Sequence, residues 1–218
     1  MYLESVSSAI FWSYVRTPVR TLLVPVCVCC VMIVLLVSCT GPGEEYYVGD
    51  QEMKKVLAIL PAGASSVAVI KGSLDGDLTD EFVVSYEDDI KGTVLAILDA
   101  SFITKFEIGA STDKAAAVRL VDVDSDGVLE VVLNGAASGG ECLQVIRCRG
   151  GVYSMVAEFW GLQVKLFDED EDGKLEVEVE NRDFDRNPNR HTVHTFFRWD
   201  GEAFTPFRSY KASQRFIF

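Results

Sequence analysis

Short runs of β-branched, aliphatic and aromatic residues, many alternating with polar ones, fill the chain from about residue 62 onward. The middle of the chain shows the pattern clearly, where AAAVRLVDV, LEVVLNGAA, CLQVIRCRG and GVYSMVAEF follow one another. Alternation with a period of two is typical of β-strands, and no long stretch of this region has the period of a helix. The pattern therefore predicts an all-β domain.

The group of four predicted strands occurs three times, over residues 62–109, 115–159 and 162–211. Gly150-Gly151 and Asp200-Gly201 separate consecutive strands and predict hairpin turns. Four strands in roughly 45 residues are typical of a propeller blade. We therefore expect three four-stranded, propeller-blade-like repeats, which form a partial or atypical β-propeller.

Propellers close with about 4–8 blades, so three repeats leave two open ends. Three arrangements remain open on the sequence. Terminal segments could cap the ends, with KASQRFIF supplying a closing strand. A second chain could close the ring, or the sheets could stack without a central channel.

The N-terminal 39 residues have a different character. Arg16 and Arg20 precede TLLVPVCVCCVMIVLLVSC, residues 21–39, which contains no charged residue. A positive segment followed by an apolar one is typical of a signal peptide. The segment ends in LVSC, which resembles the bacterial lipobox and implies cleavage before Cys39 and attachment of a diacylglycerol to its sulfur. Nineteen uncharged residues could alternatively form an uncleaved transmembrane helix.

These features divide the chain into a signal peptide or anchor over residues 1–39, a tether and leading segment over 40–61, and a repeat domain over 62–218. Gly41, Pro42 and Gly43 give the tether flexibility. DQEMKKVLAIL, residues 50–60, fits either a short helix or a first strand. With either kind of anchor, we expect the repeat domain to be exported and tethered to a membrane.

Each repeat contains one loop that is crowded with oxygen donors: GSLDGDLTDEFVV, VDVDSDGVLEVVL and FDEDEDGKLEVEV. Ca²⁺ takes about 6–8 oxygen ligands, and a tight loop supplies them from alternate residues and from a backbone carbonyl at the seventh position. Without a cation the carboxylates would repel one another. The expected ligands are Ser73, Asp75, Asp77, the Thr79 carbonyl and Glu81 in the first repeat; Asp122, Asp124, Asp126, the Val128 carbonyl and Glu130 in the second; and Asp168, Asp170, Asp172, the Lys174 carbonyl and Glu176 in the third.

An EF-hand shares the DxDxDG start, but it places its bidentate glutamate at position 12 and lies between helices. Here the acid stands at position nine and a strand follows. DVDSDGVLEVVL and DEDEDGKLEVEV resemble the FG-GAP/VCBS repeat family, whose calcium-loop blades also occur in integrin-type propellers. The resemblance implies calcium binding and a role in adhesion or protein interaction. The first loop departs from the pattern, because Ser73 replaces an aspartate and Leu78 replaces the glycine, so its ligand set is weaker.

Composition narrows the possible partners and chemistry. The formal net charge of -13 argues against a nucleic acid as partner.

Cys142 and Cys148 are the two cysteines of the repeat domain, and their spacing along one strand, ~20 Å, is too large for a disulfide. We therefore expect two unpaired, packed thiols on one face of that strand.

The remaining candidate residues are expected to have structural rather than functional roles. His191 and His194 are three apart in a predicted strand and point to opposite faces, so a shared metal is not expected. Alternation of Glu176, Glu178 and Glu180 indicates a solvated strand face rather than a catalytic pair. Ser138 has no nucleophile-elbow context. Six aromatic residues of the C-terminal half are expected mainly in the core: Trp160, Phe196, Phe197, Trp199, Phe204 and Phe207.

The sequence thus indicates a non-enzymatic lipoprotein of a bacterial envelope, anchored at Cys39 in the outer membrane or at the cell surface. Calcium-stabilised repeats would act as a protein-binding or assembly module. The alternative is a lectin-like protein that stacks exposed aromatic side chains on a glycan. No nucleophile–base pair points to an enzyme.

Overall fold

The computed structural model describes residues 48–112, 117–185 and 191–213, so the expected signal, the lipobox and Cys39 lie outside the described residues. One helix, α1 (Asp50–Ile59), precedes twelve strands in this part of the chain. The strands are β1 (Ser65–Gly72), β2 (Glu81–Asp88), β3 (Gly92–Leu98), β4 (Thr104–Gly109), β5 (Ala117–Val121), β6 (Glu130–Ala137), β7 (Gly140–Arg149), β8 (Val152–Gly161), β9 (Gln163–Phe167), β10 (Glu176–Arg182), β11 (His191–Trp199) and β12 (Phe204–Ser213). Within the described ranges, no helix has the length and apolar character needed to cross a bilayer.

The strands form three antiparallel four-stranded sheets, each built from consecutive strands. Sheet 1 contains β1 to β4, sheet 2 contains β5 to β8, and sheet 3 contains β9 to β12. The sheets match the three predicted repeats closely, and the prediction of an all-β fold with blade-like units is confirmed.

Two apolar layers lie between successive sheets. Leu95 and Ile97 of sheet 1 pack with Leu133 and Ile146 of sheet 2. Val132 and Leu143 of sheet 2 belong to a second layer that includes Val177 and Val179 of sheet 3. Burial of this apolar surface is the main favourable term that holds the sheets together. Sheet 2 lies between the two layers, and its strand β7 is accordingly buried without a break from Cys142 to Ile146.

Helix α1 covers the other face of sheet 1. Val56 is fully buried there among Phe82, Val84 and Val94. At the start of the helix Glu52 accepts a hydrogen bond from the backbone N–H of Gly49, and its carboxylate pairs with Lys71 of β1 at 3.2 Å. Residues 50–59 are therefore helical because an apolar side chain of one helical face completes the core of sheet 1.

The predicted hairpins are present. Gly150 and Gly151 connect β7 to β8, and both have the positive φ angles that a tight two-residue turn requires. Asp200 begins the turn between β11 and β12 and accepts hydrogen bonds from the N–H groups of Glu202 and Ala203. The start of KASQRFIF is not a separate closing strand, because Lys211–Ser213 completes β12 and pairs with β11.

Candidate metal centres

The three acidic loops connect the first and second strands of each sheet; we call them loop 1 (residues 73–81), loop 2 (122–130) and loop 3 (168–176). Each loop has a left-handed backbone at its fourth and sixth positions. The pairs are Gly76 and Leu78, Ser125 and Gly127, and Glu171 and Gly173, with φ between 60° and 87°. Loop 1 therefore has the same backbone turn as the others, although Leu78 stands where the pattern has glycine.

Side-chain hydrogen bonds repeat in the same way from loop to loop. The glutamate at position nine accepts the backbone N–H of position two at 2.8–2.9 Å, through Glu81, Glu130 and Glu176. The aspartate at position five accepts the N–H of position seven at 2.7–2.9 Å, through Asp77, Asp126 and Asp172. These bonds fix the carboxylates at equivalent places at the start of the second strand of each sheet.

The ninth-position glutamates are buried, with 5%, 2% and 0% of Glu81, Glu130 and Glu176 exposed. Burial raises the pKa of Glu130 to about 7 and also raises the pKa of Glu81. A carboxylate withdrawn from water is unfavourable unless a cation or hydrogen-bond donors compensate it. For Glu176 this burial corrects the expectation of a solvated strand face.

Three carboxylates gather in each loop, with ligand atoms within 4.8 Å of one another. The groups are Asp75, Asp77 and Glu81; Asp122, Asp124 and Glu130; and Asp168, Asp170 and Glu176. Such groups are able to hold a metal ion through oxygen atoms. Asp126 and Asp172 lie outside the groups, and the carbonyls of Thr79, Val128 and Lys174 remain predicted ligands.

Several of the predicted ligand atoms are buried and have no hydrogen-bond donor among the described residues. They are Ser73 Oγ in loop 1, Asp124 Oδ1 and Glu130 Oε1 in loop 2, and Asp168 Oδ1 in loop 3. Buried polar atoms are normally satisfied. Oxygens without a hydrogen bond in all three loops fit a bound cation, and one of them, Glu130 Oε1, forms an ion pair with Arg147 Nε at 3.4 Å.

Arginine side chains reach loops 2 and 3 from the neighbouring strands. Arg147 donates to Asp124 Oδ2 at 2.7 Å and also to Asp126 Oδ2, and its Nε lies 3.4 Å from Glu130 Oε1. Arg198 donates to Asp170 Oδ2 at 2.7 Å and to Glu176 Oε1 at 3.0 Å. Sequence reasoning missed both residues, because only the strand register places them beside the loops.

Loops 2 and 3 contact each other directly. Ser125 Oγ donates to the carbonyl of Gly173 at 2.5 Å, and the N–H of Leu175 donates to the carbonyl of Val123 at 2.9 Å. Loops 2 and 3 are therefore joined by one side-chain and one backbone hydrogen bond.

The other residues considered in the sequence analysis are packed or paired within the fold. Cys142 and Cys148 are free and buried, as expected, and burial raises the pKa of the Cys142 thiol to about 11. His194 contacts Glu178 at 2.8 Å and stacks on Tyr210. Glu178 is thus also paired and largely buried rather than solvated, with 14% of its side chain exposed.

The aromatic residues of the C-terminal half divide into two groups. Phe196 and Trp199 are buried, and Phe197 and Phe204 pack against the layer between sheets 2 and 3. Trp160 and Phe207 were expected in the core, but they are 48% and 42% exposed. Trp160 lies near the end of β8, which is an edge strand of sheet 2 among the described strands.

Comparisons with known proteins give distant similarities. No protein-family model matches the sequence, and no curated protein matches it. The similar solved structures include an exotype rhamnogalacturonan lyase, YesX, with 12% identity and a TM-score of 0.40, and a rhamnogalacturonan lyase of Bacillus licheniformis, with 13% identity and a TM-score of 0.38. Each alignment covers 68% of this chain and 33% or 34% of the lyase, so the chain spans about a third of their length.

Proposed function

We propose that the protein is a non-enzymatic, lipid-anchored binding or assembly module whose β-repeats are stabilised by Ca²⁺. The observation that carries the proposal is a group of three carboxylates in each of the three loops, together with buried oxygens that have no hydrogen-bond partner. A bound divalent cation would offset part of the negative charge of each loop and hold the start of β2, β6 and β10 in place.

Calcium suits these loops better than other metals. The expected ligands are all oxygen atoms, and hard cations such as Ca²⁺ and Mg²⁺ prefer oxygen, whereas Zn²⁺ and Cu²⁺ favour nitrogen and sulfur. Mg²⁺ requires a strict octahedral arrangement and keeps several waters. Extracellular calcium modules bind with Kd values of about 10⁻⁴–10⁻³ M, and this range fits an exported protein.

The outer face of sheet 3 supports a protein partner. Helix α1 covers the outer face of sheet 1, but no described element covers this one. Phe207 and Tyr210 are 42% and 47% exposed on β12, and the guanidinium of Arg208 lies 3.8 Å from the ring centroid of Phe196. Aromatic and arginine side chains are enriched at protein interfaces.

The proposed location is the bacterial cell envelope. Its support is the sequence alone: a basic segment, an apolar segment and an LVSC sequence that resembles a lipobox ending at Cys39. The lipid at Cys39 would anchor the repeats in the outer membrane or at the cell surface. Mass spectrometry of the purified protein tests this directly, because an N-terminal peptide that starts at Met1 and carries no lipid would contradict the anchor.

A glycan is the second candidate ligand. Trp160 lies along a groove of about 390 Å³ that also contains Glu158 and Asn181. An exposed aromatic ring beside polar side chains suits a sugar, although Trp199, the other tryptophan of the repeats, is buried. Binding of oligosaccharides that is lost in Trp160→Ala and kept in Trp199→Phe would favour this function; no binding by the wild type would exclude it.

The calcium proposal is tested by thermal unfolding of the full-length protein in detergent, with excess Ca²⁺ or with chelator. A ligand at about ten times its Kd stabilises the native state by ~1.4 kcal/mol per site, and each kcal/mol raises Tm by about 2–4 °C in a protein of this size. Asp124→Asn with Asp170→Asn should reduce this rise. The control is Asp185→Asn, which lies outside the loops and is 91% exposed. An identical Tm with Ca²⁺ and chelator would contradict the proposal.

A further inference from the structure

The strand register places a particular residue opposite the ninth-position glutamate of each loop. Glu176 of β10 pairs with Arg198 of β11. Val131 pairs with Ile146, so the register sets Glu130 opposite Arg147 in the same way. In sheet 1 Phe82 pairs with Leu98, and the position opposite Glu81 is therefore held by Asp99. Two repeats have an arginine at this place, and the third has an acid.

Both arginines contact the loop carboxylates at positions three and nine. In loop 2 the contacts are to Asp124 and Glu130, and in loop 3 they are to Asp170 and Glu176. All four carboxylates belong to the groups that are able to hold a metal ion. The arginines therefore lie on the same residues that a bound Ca²⁺ would use.

In loop 3, Arg198 and a bound Ca²⁺ would contact the same carboxylate. Glu176 Oε1 accepts from Arg198, and Glu176 Oε2 accepts from the N–H of Glu169. Neither oxygen of this buried glutamate lacks a donor. A metal bound by Glu176 would share an oxygen with one of these donors, and its charge would repel the guanidinium of Arg198 a few ångströms away. The arginine is the more mobile of the two donors because it belongs to a side chain.

An aromatic ring holds each guanidinium from outside the loop. The Cζ atom of Arg147 lies 5.4 Å from the ring centroid of Trp199, and that of Arg198 lies 4.7 Å from the ring centroid of Phe207. Cations are attracted to the face of such rings. The rings offer the arginines a favourable position that does not depend on the carboxylates.

Loop 1 has no such internal cation. Among the described residues, no lysine or arginine forms an ion pair with Asp75, Asp77 or Glu81. Asp99, in the place of the arginine, pairs instead with Lys105 at 3.0 Å. Ser73 Oγ is buried there without a donor.

We propose that Arg147 and Arg198 are resident counter-cations that stabilise loops 2 and 3 without metal and compete with Ca²⁺ for their carboxylates. Loop 1 lacks this arginine and depends on the metal most. The inference rests on the proposed calcium binding. It assigns the strongest metal dependence to the loop whose sequence departs furthest from the repeat pattern.

The test measures Ca²⁺ binding by calorimetry and Tm in chelator for Arg147→Gln and Arg198→Gln in the full-length protein. Each variant should bind Ca²⁺ about three- to tenfold more tightly, a change of ~0.7–1.4 kcal/mol, and should unfold at a lower temperature without metal. Arg149→Gln, an exposed position on the same strand as Arg147, is the matched control and should change neither quantity. Weaker or unchanged Ca²⁺ binding in both arginine variants would overturn the competition.

Hydrogen exchange measured by mass spectrometry tests the assignment to loop 1. In wild-type protein, Ca²⁺ should slow exchange most in peptides that cover residues 73–81, and less in those that cover 122–130 and 168–176. Greater protection of loops 2 and 3 would overturn the assignment. The two proposals fail differently. A wild type that binds no Ca²⁺ refutes calcium binding itself. A wild type that binds Ca²⁺, with arginine variants that bind it equally tightly, refutes only the competition.

Discussion

Leu78→Gly should stabilise the protein, which is unusual for removal of a leucine. Leu78 has a φ of 70° at the sixth position of loop 1, where loops 2 and 3 have glycine. A left-handed backbone costs a residue with a Cβ about 1–2 kcal/mol, and glycine in return loses about 0.5–1 kcal/mol through its greater freedom in the unfolded chain. The side chain is 95% exposed, so its removal sacrifices little packing. The expected net gain is ~0.5–1 kcal/mol.

Urea unfolding of the full-length protein in chelator measures this gain without a contribution from metal. Ile90→Gly is the matched control, because Ile90 is 94% exposed in a turn and does not have a positive φ. The control should lose about 0.5–1 kcal/mol, since only the entropic cost of glycine remains. Equal destabilisation of both variants would show that the backbone of loop 1 differs from that of loops 2 and 3.

Three further results are expected. Cys142 and Cys148 should resist alkylation at pH 8 in the native protein and react after unfolding, because both are buried; rapid native labelling would contradict the packing of β7. Gly140→Ala should cost ~1–3 kcal/mol, since a Cβ there would lie 2.0 Å from a backbone carbonyl oxygen, whereas Gly109→Ala, with nothing within 4 Å, should cost little. Ser125→Ala should cost about 0.5–1.5 kcal/mol through its lost hydrogen bond to loop 3, and unchanged unfolding would refute that contact.

The sequence predicted the repeats and their loops because both depend on local patterns. Alternating apolar residues, the turn at Gly150-Gly151 and the regular placement of Asp122, Asp124 and Glu130 are all visible without tertiary information. The segment 50–60 was ambiguous, because a short amphipathic run fits two structures. Its helix is decided by packing, since Val56 fills the core of sheet 1.

Features that depend on strand register or on edges were not predictable. Arg147 is 17 residues from Glu130 in sequence, and only the pairing of β6 with β7 brings them together. Trp160 is as apolar as its core neighbours, but an edge strand leaves it half exposed. Alternating glutamates suggested a solvated face, whereas Glu176 is buried because the loop folds over it.

Anomalous diffraction from a crystal of the protein grown with Ca²⁺ at about 10 mM, roughly tenfold above an expected Kd of ~1 mM, tests calcium binding most directly. The account predicts density peaks among the carboxylates of loops 1, 2 and 3, about 2.3–2.6 Å from oxygen atoms of Glu81, Glu130 and Glu176. Loops that hold no peak at this concentration, with Arg147 and Arg198 still bound to their carboxylates, would contradict it.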